Sequence, residues 1–218
     1  MIVSDKYKFI FIRTAKTAGT STSDALERMV SDGDLVADMS RPSWSKFSPV
    51  HHGALKRTLP QLFGLHVHAT AAQIRSVIGA EKFNSYYKFC VERNPWDRQV
   101  SLYFQRYGKR PHKRPPDFDR DMRSFLFRNT EYVRLNNWEI YTIKGDVVAD
   151  RVIDYDNLEE GLEEVRREVG LPAPIDLPRH RSGHRPEKQN YRQHYSDATR
   201  DMIARWYAKE IRAFDYAF

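Results

Sequence analysis

The stretch "FIRTAKTAGTSTSDAL", residues 11–26, joins the end of an apolar strand to a turn of small residues and then to a helix. Lys16 lies inside the turn, and Gly19 follows it closely. Unpaired N–H groups and the dipole at a helix start attract anions, and a lysine adds a full positive charge. Hydroxyl donors are supplied by Thr17, Thr20 and Ser21. The stretch therefore predicts an anion-binding turn in which Gly19 adopts backbone angles that other residues avoid.

This turn differs from the Walker A loop of ATP-binding proteins. In that loop the lysine comes after the glycines and is followed directly by the Ser or Thr that holds magnesium. Here Lys16 precedes Gly19, and the glycine-rich run is missing. The pattern predicts anion binding without the ATP–magnesium signature. Taken alone, the segment is also compatible with an ordinary strand–helix turn that carries a solvated lysine.

Composition and charge limit the classes of protein to consider. The chain has 218 residues, of which 40% are hydrophobic, and we predict one globular domain over residues 1–218. The formal net charge of +7 favours an anionic partner, such as nucleic acid, a phosphorylated cofactor or an acidic polymer. Cys90 is the only cysteine, which excludes a disulfide within the chain. No apolar stretch approaches the ~20 residues of a membrane span, and no signal-peptide layout is seen, so we expect a cytoplasmic protein.

Hydrophobic periodicity predicts strands that alternate with helices. The predicted strands are Tyr7–Arg13, Tyr86–Glu92 and Arg151–Asp154. The predicted helices are Ser21–Val30, Thr70–Ile78, one beginning at Pro95, Asn157–Val169 and Ser196–Phe214. This order predicts an α/β fold: a single domain with a mainly parallel central sheet flanked by helices, and a P-loop-like nucleotide-binding architecture. Ligands of such sheets bind beyond the carboxyl ends of the strands.

A second anion site is predicted in "RNPWDRQVSLYF", residues 93–104. Asn94 is a good helix N-cap and Pro95 suits the first helical position. Arg93 and Ser101 can converge beside this helix start, where a guanidinium and a hydroxyl would suit a phosphate dianion. Two anion sites on neighbouring strands predict a ligand with two separated anionic groups.

The second site also has a structural alternative. Arg98 and Ser101 are neighbours on one helical face, which is expected to lie away from the aromatic stripe of the helix. In the alternative, Arg93 pairs with Glu92 or Asp97 at the surface, and Ser101 faces a helix neighbour.

Both segments resemble motifs of the PAPS-dependent sulfotransferases, where PAPS is 3′-phosphoadenosine 5′-phosphosulfate. "FIRTAKTAGTS" is similar to the 5′-phosphosulfate loop of the family-2, carbohydrate type, and "FCVERNPWDRQVSLYF" to its 3′-phosphate motif. The C-terminal "YSDATRDMIARWYAKEIRAFDYAF" resembles the closing helix and aromatic-rich end of that family. The similarity covers nearly the whole chain.

The resemblance implies PAPS as sulfuryl donor and PAP, the corresponding bisphosphate, as product, with no metal expected. It implies that the lysine turn holds the 5′-phosphosulfate and that the second motif holds the 3′-phosphate. The implied cofactor-binding residues are Arg13, Lys16, Thr17, Ala18, Gly19, Thr20, Ser21, Arg93, Ser101, Arg185 and Lys188. Arg13 departs from the family pattern, where many relatives carry a smaller residue; it either adds charge to the site or points away from it.

Sulfuryl transfer to a hydroxyl needs a general base, and a histidine suits this role. In "LHVHATAAQIR", His66 and His68 alternate with Val67, and both point to one side if the stretch is extended. The stretch resembles the region where 2-O-sulfotransferases carry their catalytic histidine. We predict His68 as the base, Lys16 on the leaving side, and His66 as the second candidate or as an orienting partner. Either histidine could instead be a core residue, and a pair without a third ligand is a poor metal site.

The favoured function is transfer of a sulfuryl group from PAPS to a hydroxyl, with a carbohydrate as the favoured acceptor. The alternatives are a P-loop-type ATP-dependent kinase of a small molecule and a basic nucleic-acid-binding protein, although no recognition motif for nucleic acid is present. Two basic segments, residues 109–116 and 179–188, could hold an acidic acceptor or close over the nucleotide. As charge runs they could equally be solvated surface. His51 and His52 form a second possible acceptor cluster, although a surface loop is the better interpretation.

Overall fold

The structure is a computed structural model that describes residues 1–31, 33–37, 65–107, 115–130, 134–177 and 190–218. Its strands are β1 (Ile2–Ser4), β2 (Phe9–Phe11), β3 (Leu35–Val36), β4 (Tyr87–Glu92), β5 (Thr142–Ile143), β6 (Asp146–Val147) and β7 (Arg151–Asp154). Its α-helices are α1 (Gly19–Glu27), α2 (Ala71–Ile78), α3 (Ala80–Ser85), α4 (Pro95–Tyr107), α5 (Phe118–Arg123), α6 (Phe125–Thr130), α7 (Trp138–Tyr141), α8 (Leu158–Val169), α9 (Asp197–Trp206) and α10 (Ala208–Ala213).

The elements group into two compact units. The first unit comprises Met1–Glu92 and Leu135–Pro178, and the second comprises Arg93–Arg134 and Arg179–Phe218. That both units belong to a single domain remains a prediction.

The first unit is built on a five-stranded sheet with the order β3-β1-β2-β4-β7. β2, β4 and β7 are parallel neighbours, with Phe11 opposite Phe89 and Glu92 opposite Asp154. β1 is antiparallel to both β2 and β3. The predicted α/β class is confirmed, but the predicted mainly parallel sheet is corrected to a mixed one.

The antiparallel part arises from an N-terminal hairpin that hydrophobic periodicity did not reveal. The apolar run of Tyr7–Arg13 reads as one strand, but its pairing with β1 begins at Phe9, opposite Ser4. Lys8 closes the hairpin turn with a left-handed φ of 54°. β1 has only three residues, which is too short for a pattern to identify it in the sequence.

The central strands β2 and β4 are buried on both faces of the sheet. Phe9, Phe11 and Phe89 form one face, and the Phe11 and Phe89 rings stack with centroids 5.1 Å apart. Ile10 and Cys90, which alternate with them, are fully buried as well. Continuous apolar strands of this kind are typical of sheets covered by helices. The Cys90 thiol is a free, buried core group, as predicted, and burial raises its pKa.

The predicted helix ends are largely observed. Thr70 caps α2 by accepting a hydrogen bond from the Gln73 N–H, and the Gln73 side chain accepts one from the Thr70 N–H. Gly79 ends α2 with φ 88°, and Gly170 ends α8 with φ 70°. Residues other than glycine rarely adopt these conformations. These signals are local, and the structure follows them closely.

The second unit is built around α4. Four residues of its predicted aromatic stripe are buried: Trp96, Val100, Tyr103 and Phe104 are each 9% exposed or less. The Tyr103 hydroxyl donates to the buried Asp121 carboxylate at 2.7 Å. The predicted single helix Ser196–Phe214 is instead two helices, α9 and α10, because Tyr207 between them leaves the helical region with φ −118° and ψ 28°.

Within the described part of the chain, no helix has the length and apolar character needed to cross a membrane.

Candidate active site

The predicted anion-binding turn lies between β2 and α1, at the carboxyl end of β2. Lys16 and Ala18 both adopt left-handed conformations, with φ of 65° and 58°. Gly19 begins the helix and has no positive φ. The prediction that Gly19 supplies the unusual backbone angles is therefore wrong, since Lys16 and Ala18 supply them. The predicted helix Ser21–Val30 is observed as Gly19–Glu27, so it begins two residues and ends three residues earlier than predicted, close behind the lysine.

Gly19 is required for space rather than for angle. A Cβ at this position would lie 2.8 Å from Cγ and 2.9 Å from Nε of Arg13. The Arg13 side chain passes beneath the first turn of α1, where Nη2 donates to Thr20 Oγ1 at 2.8 Å and Nη1 contacts Ser23 Oγ at 3.5 Å. Arg13 is only 6% exposed. Of the two possibilities left by the sequence, Arg13 therefore adds positive charge beneath the turn.

The turn is fixed to the sheet by threonine side chains. The Thr14 hydroxyl donates to the Val91 carbonyl on β4, and Thr14 Oγ1 lies 2.7 Å from Thr17 Oγ1. Since the Thr14 proton is used on Val91, Thr17 donates to Thr14. Thr17 is only 1% exposed, so its hydroxyl is engaged inside the turn.

A residue far along the chain also holds the turn. Asn137 Oδ1 accepts from the Ala15 N–H at 3.0 Å, and Asn137 Nδ2 donates to the Ala15 carbonyl at 3.1 Å and to Glu92 Oε1 at 3.3 Å. Asn137 and Glu92 are both fully buried. Sequence reasoning missed Asn137, because 122 positions separate it from Ala15 and no local pattern links the two residues.

The structure brings the predicted base to the same turn. His68 Nδ1 lies 2.9 Å from the Arg13 carbonyl oxygen. A carbonyl can only accept, so Nδ1 carries the proton and Nε2 carries the lone pair. His66 Nδ1 accepts from the His68 N–H at 3.1 Å, and the two rings are 5.8 Å apart. The pair lies in a turn before α2 rather than in an extended stretch, and His66 contacts the backbone of His68.

His68 is held in the neutral form. Burial lowers its pKa from 6.5 to about 3; the hydrogen bond to the Arg13 carbonyl opposes this, and the positive charge of Arg13 adds to the lowering. At neutral pH the imidazole is therefore uncharged, with a basic nitrogen at Nε2. This is the protonation state that a general base requires before reaction.

The second predicted site lies in the other unit. Arg93 Nε donates to Asp97 Oδ2 at 2.7 Å, and both side chains are mostly buried. The ion pair with Asp97 was the structural alternative drawn from the sequence. Asn94 caps α4 as predicted, because its Oδ1 accepts from the Trp96 N–H at 3.1 Å. Ser101 is partly exposed.

Arg98 does not share an outward face with Ser101. It is fully buried, lies 3.5 Å from the Glu210 carboxylate and stacks on the Tyr207 ring at 4.7 Å. The expected face away from the aromatic stripe is therefore wrong for Arg98, which is part of the packing of this unit.

Several predicted residues lie outside the described residues: Arg185, Lys188, His51 and His52. So do most of the basic segment 109–116 and all of residues 179–188. Their roles stay predictions. In the ranges that the structure describes, no group of three His, Cys, Asp or Glu side chains could hold a metal ion.

Comparison with known proteins bears on the family. The model of the Sulfotransferase family matches residues 1–217. An uncharacterized protein of Archaeoglobus fulgidus is 36% identical over 112 residues, which is 49% of this chain and 87% of that protein. No solved structure matches the chain significantly. Because the family match covers nearly every residue, including the lysine turn and the Arg93 segment, the chain belongs to the sulfotransferase family.

Proposed function

We propose that this protein transfers the sulfuryl group of PAPS to a hydroxyl by in-line displacement, with a carbohydrate as the favoured acceptor. The observation that carries the proposal is the single segment from Arg13 to Gly19. It combines a lysine at a helix start, a buried arginine beneath that start, and a backbone carbonyl bonded to His68. Sulfuryl transfer needs an anionic donor and a general base close together, and this segment would position both.

The turn is proposed to bind the 5′-phosphosulfate. Lys16 supplies a full positive charge, and α1 supplies the N–H groups and positive dipole end of a nine-residue helix. Arg13 adds to the positive charge at the turn. It also donates to Thr20 Oγ1, which leaves the proton of that hydroxyl available to the phosphosulfate. Thr17 is expected to act through its backbone, since its hydroxyl bonds to Thr14. This strand–turn–helix is also what supports the P-loop-like architecture that we include in the proposal.

The 3′-phosphate is proposed to bind Arg93 and Ser101. A guanidinium has five N–H donors, so an ion pair with one carboxylate oxygen is compatible with a second anion. Asn94 fixes the start of α4 and therefore the position of Arg93 before it. Arg185 and Lys188 remain proposed as further cofactor contacts.

His68 is proposed as the general base, through Nε2. As the acceptor oxygen bonds to sulfur, the bond from sulfur to the bridging phosphate oxygen breaks, and His68 Nε2 takes the hydroxyl proton. Lys16 stabilises the negative charge that develops on the departing phosphate oxygen. The reaction is redox-neutral, and PAP and the sulfate ester are its products.

The low pKa of His68 has to rise during this step. A base with a pKa of about 3 is a weak proton acceptor at neutral pH. The negative charges of a bound phosphosulfate would favour the imidazolium and raise the pKa of His68. We therefore propose that the base is activated by the donor itself, so that a proton is taken only when PAPS is bound.

The test is nucleotide binding, measured by thermal shift and calorimetry with PAP, AMP and ATP with magnesium. PAP should stabilise the protein most, and Arg93→Ala should weaken PAP by about 10-fold to 100-fold while changing AMP little, because only PAP has the 3′-phosphate.

Arg123→Ala is the matched control, since Arg123 also pairs with an aspartate one helical turn away, Asp119. It should leave PAP binding unchanged. Preference for magnesium–ATP over PAP would instead support the kinase alternative, and equal losses of PAP and AMP in Arg93→Ala would remove the 3′-phosphate assignment.

A further inference from the structure

Asn137 makes a buried amide contact with the turn that holds Lys16. Its Oδ1 and Nδ2 bond to the N–H and the carbonyl of one residue, Ala15, at 3.0 and 3.1 Å. The same Nδ2 donates to Glu92 Oε1 at 3.3 Å. We propose that Asn137 is a positioning residue for sulfuryl-donor binding, which holds Lys16 in its left-handed conformation. This inference rests on the proposed function of the turn.

The orientation of the Asn137 amide is fixed by chemistry. The Ala15 carbonyl can only accept, so it must face the NH₂ group, which also donates to Glu92 Oε1. The Ala15 N–H can only donate, so it must face the amide oxygen. An aspartate at this position would turn a carboxylate oxygen toward two acceptors, and an aliphatic residue would bond to none of the three groups.

Asn137 gives up a local role to make these contacts. It is the N-cap residue of α7, where an asparagine side chain usually accepts a hydrogen bond from the first turn of its own helix. No such cap bond is formed, and the side chain is directed to Ala15 and Glu92 instead. The helix alone therefore does not explain an asparagine at this position.

The turn needs an external restraint because two of its residues are in a disfavoured conformation. Lys16 and Ala18 have φ of 65° and 58°, a region that non-glycine residues rarely adopt unless the surroundings hold them there. Ala15 directly precedes Lys16, and Asn137 fixes both of its peptide groups. Thr14, the residue before Ala15, is held in turn by the hydrogen bond from its hydroxyl to the Val91 carbonyl. Loss of the amide would free the lysine to leave the position in which it meets an anion.

A positioning role and a merely structural role predict different results. If Asn137 acts through Lys16, Asn137→Ala should raise the Kd for PAP about 10-fold in the wild-type background, because one backbone restraint on a charged ligand contact is lost. In a Lys16→Ala background the same change should have almost no further effect on Kd, because the lysine is already gone. A structural role would lower the melting temperature and leave the two effects on Kd additive.

The experiment measures PAP affinity by calorimetry for the wild type, both single variants and the double variant. Asn136→Ala is the matched control, because it removes the neighbouring, partly exposed asparagine, and it should bind PAP like the wild type. Asn137→Ser is a milder second variant if Asn137→Ala does not fold. Additive effects on Kd, or an unchanged Kd in both Asn137 variants, would overturn the inference.

Amide hydrogen exchange separates this inference from the proposed function. Asn137→Ala or Asn137→Ser should speed exchange in the peptide covering residues 14–18 about 10-fold, with no change in the β5–β6 hairpin, whether or not a nucleotide binds. If the wild type binds no PAP but this exchange increases, the proposed function fails and the restraint by Asn137 stands. Unchanged exchange in residues 14–18 overturns the restraint itself.

Discussion

Two lysines of the first unit have similar left-handed φ angles in very different surroundings. Lys16 has φ 65° in the turn between β2 and α1, and Lys144 has φ 55° in the two-residue turn between β5 and β6. Lys144 is exposed and is followed directly by Gly145, whose φ of 92° completes an ordinary hairpin turn. Lys16 is partly buried, and its neighbours are bonded to β4 and to Asn137.

The difference shows what marks a functional turn. A hairpin closes through local geometry, and its glycine removes most of the conformational penalty. The Lys16 turn instead keeps a lysine and an alanine in left-handed conformations, and contacts from distant residues hold them. Conformations of this kind persist where the surroundings fix them, and they cluster at binding sites. The comparison therefore predicts that only the Lys16 turn responds to ligand.

The largest expected effect comes from the lysines themselves. Lys16→Ala should raise the Kd for PAPS by about 10-fold to 100-fold, because a hydrogen bond to a charged group contributes about 1.5–3 kcal/mol. It should also abolish detectable sulfuryl transfer. Lys144→Ala, which removes an exposed lysine of matching conformation, should bind PAPS like the wild type. Isothermal titration calorimetry gives both values, and equal affinities for the two variants would end the functional distinction between the turns.

The second comparison concerns the glycines that follow the lysines. Gly19→Ala should reduce the free energy of unfolding by about 1–3 kcal/mol, because the new Cβ would displace Arg13. Gly145→Ala should lower it by about 1–2 kcal/mol for another reason, since alanine is disfavoured at that φ. Gly33→Ala is the control, since a Cβ there meets nothing within 4 Å.

Urea unfolding measures these losses, and a double variant identifies their cause. In an Arg13→Ala background, Gly19→Ala should have little further effect on stability, whereas Gly145→Ala should keep its full effect. Only Gly19→Ala should also weaken PAP binding. If its effect were the same with and without Arg13, the close contact would not be the reason for a glycine here.

The smallest expected effect is the pH dependence of stability that His68 contributes beside the Lys16 turn. His68 has a pKa of about 3 in the folded protein and 6.5 as its ordinary value, so the unfolded chain binds its proton first as the pH falls. The free energy of unfolding should therefore fall by about 1 kcal/mol between about pH 7 and pH 5.5 on account of this histidine.

Substitution of His68 tests this directly. His68→Asn keeps a donor near the Arg13 carbonyl and removes the titrating group, so this part of the pH dependence should disappear. His66→Asn is the matched control, and in this variant the pH dependence contributed by His68 should remain. Urea unfolding at several pH values gives the slope, and an unchanged slope in His68→Asn would show that His68 titrates normally in the folded protein.

Much of the site could be predicted because its signals are local. The helix start after Lys16, the helix predicted over Thr70–Ile78 and the cap at Asn94 each depend on a few neighbouring residues, and the structure has all of them within two residues. The roles of Gly19 and Arg98 were predicted wrongly, because each depends on a side chain that packs against it. Arg13 occupies the space that a side chain at position 19 would need, and Arg98 lies buried against Glu210 and Tyr207.

The sequence by itself determined the alternation of strands and helices, the lysine turn and the family. These follow from periodicity and from motifs whose residues are neighbours in the chain. Only the tertiary structure decided that the sheet is mixed, that Arg13 runs beneath the turn, that His68 donates to the Arg13 carbonyl, and that Asn137 holds Ala15. Contacts between residues 55 or 122 positions apart depend on how strands pair and side chains pack, and no local pattern encodes them.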